Sequence, residues 1–98
     1  MNDNQFKILM IFSGNTKLSR IREKYGMVAF GVCIMLLEIL LKCKDYKCSC
    51  DIKSLNILAY TLRVDINLLQ SIIFNYGLFT IDGDVFYSKE LLREGNEK

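Results

Sequence analysis

The chain has 98 residues and a formal net charge of +2; 51% of its residues are hydrophobic and 24% are charged. This composition excludes an intrinsically disordered chain, and the length allows one domain whose core buries about 60–65% of the unfolded surface. A net charge this small does not by itself indicate a nucleic-acid partner. The basic excess lies in residues 1–50, which hold eight Lys and Arg against four Asp and Glu.

Signals of catalysis are missing from the sequence. There is no histidine, no glycine-rich phosphate loop and no pair of carboxylates in an apolar setting. We therefore expect a protein that is not an enzyme and needs no cofactor. The longest apolar stretch, Met27–Leu41, is shorter than the about 20 residues of a membrane span, so no membrane partner is expected. No basic segment precedes the first apolar run, and a cytoplasmic location is the default expectation.

The first part of the chain predicts an arm and a helix. Phe6–Phe12 is apolar with weak alternation, which favours an extended arm within residues 1–14. Asn15 is a suitable N-cap for a helix over Thr16–Tyr25. Gly26 supplies a left-handed stop.

A long central helix is predicted over residues 27–44. It has almost no polar face, because Glu38 alone interrupts its apolar residues as far as Leu41. Such a helix must be covered on every side, either by the chain's own arm and first helix or by another subunit. We favour the first alternative, in which the chain's own arm and first helix cover the central helix.

A helix-turn-helix follows the central helix. A short strand is expected near Lys47–Cys50. Ser54 then caps a helix that ends at Arg63. Asp65 caps a second helix, which ends at Gly77.

A β-hairpin is predicted after the two helices. Its strands are Leu78–Ile81 and Val85–Ser88, and the segment Asp82-Gly83-Asp84 between them is a strong turn signal. Ser88 caps a last short helix over Lys89–Arg93.

The order of these elements predicts an α+β, mostly helical fold. We expect a winged helix, which is a helix-turn-helix with a β-hairpin wing, over residues 15–93. The N-terminal arm and an extra helix precede it, and a polar tail over residues 94–98 follows it.

The four cysteines predict buried thiols rather than a metal site. Cys33 and Cys43 are about 15 Å apart along the central helix, too far to share one zinc ion. The C-x4-C-x-C segment Cys43–Cys50 lacks a fourth Cys or His, and only a nearby aspartate could complete it. We favour small thiols that stay reduced in the cytoplasm, with no bound metal.

Two sets of polar side chains are candidates for contact with DNA. One is a basic stripe on the first helix, which could anchor phosphates, although most charged helical faces are only solvated. The other is the outward face of the second helix of the helix-turn-helix, whose amides could pair with adenine edges. The candidates are Lys17, Arg20 and Lys24 in the first set and Asn67, Gln70 and Asn75 in the second.

Charge argues against base reading by the second set. From Asp51 to Ser88 there are two basic residues against four acids, and two of those acids lie at the hairpin tip. Phosphate contacts supply most of the affinity for nucleic acid. DNA should therefore be repelled by this surface, or at best not attracted to it. A solvated polar face is the alternative interpretation.

Several short motifs resemble a known family. They are Lys17-Leu18, Tyr25-Gly26, Phe30-Gly31, Leu36-Leu37 and Gly77-Leu78-Phe79, together with Phe6, Tyr46 and Ser88. The pattern covers residues 6–93 and resembles the N-terminal domain of DnaD-like proteins, in the branch common in phages and mobile elements of Firmicutes and Bacteroidetes. The chain differs at Ser13-Gly14-Asn15, where relatives often carry acids.

The resemblance implies a winged-helix module at the head of a replication-initiation or primosome-loading protein. In such proteins this domain serves largely for self-association, and a separate C-terminal domain contributes much of the DNA binding. The expected partners are therefore DNA, bound weakly by this domain alone, a second copy of the chain and other replication proteins.

Three hypotheses of function stay open at this point. The first is a DNA-associated replication module, and the second is a self-association module without intrinsic DNA affinity. The third, a small transcription regulator, needs a more basic reading helix than this one. Apolar residues of the arm and the central helix are expected at the self-association surface. They are Phe6, Ile8, Val32, Met35 and Ile39.

Overall fold

A long apolar helix lies at the centre of the fold, and other helices pack against it. The computed structural model describes residues 3–12 and 14–91. They form an α+β, mostly helical fold with a small antiparallel sheet. The helices are α1 (Asp3–Phe12), α2 (Thr16–Tyr25), α3 (Met27–Lys42), α4 (Ile52–Leu62) and α5 (Ile66–Asn75). The strands are β1 (Cys48–Ser49), β2 (Thr80–Asp82) and β3 (Val85–Tyr87), and a 3₁₀ turn spans Lys44–Tyr46.

The N-terminal segment is the helix α1, so the prediction of an extended arm was wrong. Ile8 and Phe12, four residues apart, are buried, and α1 packs on α3. Phe6 and Met10, also four residues apart, are exposed. This spacing is that of an amphipathic helix, which a short apolar run does not distinguish from a strand.

α2 begins and ends where the sequence predicts. The side-chain oxygen of Asn15 accepts a hydrogen bond from the Leu18 N–H at 3.0 Å, which satisfies one free donor of the first turn. Gly26 ends the helix with φ at 88°, a conformation that glycine adopts without steric cost.

The chain's own helices cover most of α3, as the sequence favours. α1, α2 and α5 all pack against it. At its N-terminal end, however, Met27 and Val28 remain exposed. Near its C-terminal end, the Glu38 carboxylate lies 3.7 Å from the Lys42 ammonium. Six apolar side chains of α3 are buried in the core: Ala29, Val32, Cys33, Leu36, Leu37 and Leu40.

α4 and α5 are the predicted pair of helices, with one correction at the start of α4. Asp65 caps α5 as predicted, and its carboxylate accepts from the Asn67 N–H at 2.7 Å. α4 starts earlier than predicted, because Asp51 rather than Ser54 is its N-cap. The Ser54 hydroxyl donates to Asp51 at 2.7 Å, and this bond lowers the pKa of that carboxyl. Arg63 ends α4 in the left-handed conformation.

The chain bends by 116° between α4 and α5. Across the described ranges, no single helix is long and apolar enough to cross a membrane. Only α4 and α5 taken together reach that length and composition, and the bend separates them.

The sheet has the strand order β1-β3-β2, and both pairings are antiparallel. The chain reverses at Asp82-Gly83, as predicted, with φ of Gly83 at 65°. Phe86 of β3 is buried and packs edge-to-face on Phe79, with ring centroids 5.4 Å apart. Beyond β1, the Cys50 N–H donates to the carbonyl of Asp84 at 2.7 Å. The sheet therefore ties the hairpin to the segment that leaves α3.

Ser88 marks the start of the last predicted helix. Its hydroxyl accepts a hydrogen bond from the Leu91 N–H at 3.3 Å, as expected of an N-cap, and residues 89–91 are helical. The predicted end of this helix at Arg93 and the predicted tail over residues 94–98 lie outside the described residues.

Two of the four cysteines are not the reduced thiols that the sequence predicts. Cys43 and Cys48 form a disulfide across the 3₁₀ turn. Asp45 and Tyr46 within this turn both have positive φ, which reverses the chain and brings β1 back to the end of α3. Within the described ranges, no group of three or more His, Cys, Asp or Glu side chains is placed to hold a metal ion.

Cys33 and Cys50 are free and buried, as predicted. Burial raises the pKa of Cys33 to about 12, and it also raises the pKa of Cys50. Both thiols are therefore protonated near neutral pH and poorly nucleophilic. Disulfides persist mainly in oxidising compartments, and the cytoplasmic location stays a prediction.

Removal of the disulfide should destabilise the fold. The link joins residues that are five positions apart, and closing a loop of this size contributes about 2 kcal/mol by restricting the unfolded chain. We expect the Cys43→Ser/Cys48→Ser double variant to lose about that much free energy of unfolding in urea titrations. A reducing agent should cause the same loss in the parent protein and none in the variant. An equal response of both proteins would contradict the assigned link.

Candidate nucleic-acid interface

α2 presents three cations on one face, which we call the basic stripe: Lys17, Arg20 and Lys24. All three side chains are exposed. Leu18 and Ile21 of the same helix are buried in the core, so the helix turns its charged face towards solvent. The three residues predicted to bind phosphate therefore share one surface.

Two cations of the basic stripe, Lys17 and Lys24, lie against the C-terminal end of α5. Carbon Cε of Lys17 is 3.8 Å from the position that a Cβ would take on Gly77. Tyr25 and Tyr76 pack edge-to-face with ring centroids 6.0 Å apart, and the Tyr76 hydroxyl donates to the Tyr25 hydroxyl at 3.3 Å. We call this region, which also includes Lys24, the α2–α5 junction.

Electrostatic coupling at the junction centres on Lys24. A hydrogen bond with Tyr76 and the proximity of Tyr25 raise the pKa of Lys24, whose Nζ lies 5.4 Å from the centre of the Tyr25 ring. The bond from Tyr76 lowers the pKa of Tyr25 and raises the pKa of Tyr76 itself, as expected for an acceptor and its donor. The carbonyl end of a helix carries partial negative charge, so lysines near the end of α5 are favourable.

The predicted base-reading residues are spread along α5. Asn67 and Asn75 are exposed, and Gln70 is half-buried. The two asparagines are about 12 Å apart along the helix axis. Asn67 lies beside the capping carboxylate of Asp65, whereas Asn75 directly precedes Tyr76. The structure therefore brings only the Asn75 end of this set close to the α2–α5 junction.

The hairpin tip carries negative charge, as its sequence predicts. Asp82 and Asp84 lie at the turn, and both are exposed. At the opposite end of the hairpin, the Nζ of Lys47 lies 5.3 Å from the centre of the Tyr87 ring. Lys47 precedes β1 in the chain, so the charge count from Asp51 to Ser88 does not include it.

Tyr25 and Tyr76 were not predicted as site residues. In the structure both side chains are only half-buried, and their hydroxyls meet across 51 positions of the chain. A contact between residues so far apart leaves no local signal. The sign of a polar role for Tyr25 in the sequence is that it directly follows Lys24.

The residues predicted to contact a second copy fall into two groups. Ile8 and Val32 are buried in the chain's own core, so they offer no surface to a partner. Phe6 and Met35 are exposed, and Ile39 is half-buried. Among the described side chains of α1 and α3, further exposed apolar residues were not predicted at this surface. They are Met10, Met27 and Val28.

The comparison with family models covers nearly the whole domain. The model of the Lin1244/Lin1753-like N-terminal domain matches residues 6–91. The chain belongs to this family. The matched range of the Lin1244/Lin1753-like domain includes the basic stripe, the α2–α5 junction and the hairpin. No curated protein and no solved structure matches the chain.

Substitution of Tyr76 by Phe should raise the pKa of Tyr25, because the hydrogen bond from Tyr76 is the largest cause of its lowered value. A ¹³C NMR titration of the tyrosine rings measures this change. Tyr60→Phe is the matched control, since that side chain is 87% exposed, and it should leave the titration of Tyr25 as it is in the parent protein. An unmoved Tyr25 titration in Tyr76→Phe would show that the assigned bond does not form.

Proposed function

We propose that this domain is a winged-helix module of a DnaD-like replication-initiation or primosome protein, and that it contacts DNA through the basic stripe and α5. The position of Lys17 beside Gly77, and of Lys24 beside the Tyr25 ring that packs on Tyr76, carries this proposal. The cations and the Asn75 end of the amide set, which are separate in the sequence, then belong to one surface. An elongated anion could contact both at once.

Two features of the fold support a winged helix. α4 and α5 are bent by 116° and joined by a short turn, as is typical of a helix-turn-helix. The β2–β3 hairpin follows α5, and β1, which precedes α4, pairs with β3. α5 would then be the reading helix and the hairpin the wing.

Phosphate contacts by the basic stripe would supply most of the affinity. Each neutralised phosphate adds about −0.9 to the slope of log K against log salt concentration, so three cations predict a slope of about −2.7. Amides such as those of Gln70 and Asn75 can pair with adenine edges. Three phosphate contacts are few, so binding by this domain alone is expected to be weak.

Fluorescence anisotropy with labelled duplex and single-stranded oligonucleotides tests this function. We expect binding at low salt, and Arg20→Gln should reduce the magnitude of the salt slope by about 0.9. Lys44→Gln is the matched control, because it removes one exposed cation of the 3₁₀ turn, outside the stripe, and should leave the slope unchanged. Failure of both oligonucleotides to bind at low salt would rule out DNA association of the domain.

Self-association is a second candidate function, favoured by the exposed apolar side chains of α1 and α3. Phe6, Met27 and Val28 are each more than half exposed. Met35 lies seven residues, about two turns, along α3 from Val28 and shares its face of the helix. Contiguous exposed apolar residues commonly mark protein contacts, and a second copy of the chain would cover them.

Substitution of Met35 by Lys should weaken self-association. A buried charge without a partner costs enough to raise the dimer Kd at least about tenfold, and sedimentation equilibrium measures that change. Ile57→Lys is the matched control, because Ile57 is also exposed but belongs to α4; it should leave the equilibrium unaltered. A monomeric parent protein at high micromolar concentration would argue against this second function.

A further inference from the structure

The tyrosine pair of the α2–α5 junction has a hydroxyl proton to donate outside the pair. The oxygen of Tyr25 accepts the hydrogen bond from Tyr76 at 3.3 Å. A phenol oxygen that accepts a hydrogen bond still carries its own O–H. The O–H of Tyr25 is therefore available to an acceptor other than Tyr76.

Lys24 adds a charged donor beside this hydroxyl. Its ammonium has three N–H groups. The Nζ lies 5.4 Å from the centre of the Tyr25 ring, and the side chain is exposed. The N–H groups of Lys24 and the O–H of Tyr25 are thus within reach of one acceptor group.

Lys17 adds a second positive charge to the same place. Its Nζ is 4.0 Å from the position that a Cβ would take on Gly77, just after the end of α5. The carbonyl end of α5 would repel an anion, and the two lysines offset that repulsion. A group that accepts hydrogen bonds and carries negative charge therefore matches the junction.

We propose that Lys24 and Tyr25 bind one phosphate of a DNA backbone, with Lys17 beside it. The backbone then crosses the α2–α5 junction and not the hairpin tip, where Asp82 and Asp84 are exposed. This inference rests on the proposed DNA association and specifies its path. Phosphate oxygens are the acceptors that lysine and hydroxyl donors contact most often in protein–DNA complexes.

The first test is the effect of single substitutions on DNA affinity and on its salt dependence. Tyr25→Phe should weaken binding about fivefold, as expected for one hydrogen bond, without changing the salt slope, since no charge is lost. Lys24→Gln should weaken binding and also reduce the magnitude of the slope by about 0.9. Tyr60→Phe is the matched control for the loss of a hydroxyl and should bind as the parent protein does. Thermal melts of each variant verify that the fold is retained.

The hairpin acids test the path directly. The Asp82→Asn/Asp84→Asn double variant should bind within about twofold of the parent protein, because two charges distant from the backbone are screened by salt. A rise in affinity of several-fold would instead place the backbone at the hairpin tip and overturn the proposed path.

Titration with inorganic phosphate against matched chloride, followed by NMR, examines the junction without DNA. Resonances of Tyr25 and Lys24 should shift in the parent protein, and the Tyr25 shift should be lost in Lys24→Gln. DNA binding that is unaffected by Tyr25→Phe would overturn the phosphate site and leave DNA association standing. Phosphate-dependent shifts without DNA binding would retain the site and reject DNA association. The absence of both effects would reject both proposals.

Discussion

Burial of α3 is the constraint on which the rest of the structure depends. This helix is apolar on nearly every side, and a surface of that kind has to be covered before the chain is stable in water. α1, α2 and α5 all pack on it. Because α2 and α5 both pack their apolar faces on α3, their polar faces remain exposed to solvent next to each other. The α2–α5 junction is therefore a consequence of how the core is covered.

The sequence predicts best those features that depend on local chemistry. The cap residues Asn15 and Asp65 and the turn at Gly83 each satisfy backbone groups or a special φ within a few residues. Where two local signals compete, the prediction is less accurate: Asp51 and Ser54 both suit an N-cap, and the N-cap is Asp51, whose carboxylate accepts from both the N–H and the hydroxyl of Ser54. α1 was missed because its short apolar run fits a strand as well as a helix.

Features that depend on distant contacts or on unusual backbone are not visible in the sequence. The disulfide between Cys43 and Cys48 requires two successive left-handed residues, and these are Asp45 and Tyr46, not glycines. The cations of the candidate site were predicted from their helical spacing. Their position beside α5 was not, because it depends on packing that both helices make with a third.

The disulfide turn also has a mechanical consequence for the hairpin. Only residues 43–50 separate the end of α3 from the backbone bond that holds the carbonyl of Asp84. This segment is short, and the disulfide between Cys43 and Cys48 spans most of it. It therefore forms a rigid connection between the C-terminal end of α3 and the tip of the hairpin. The position of the acidic tip is therefore coupled to the end of α3 as well as to α5, from which residues 76–79 lead into β2.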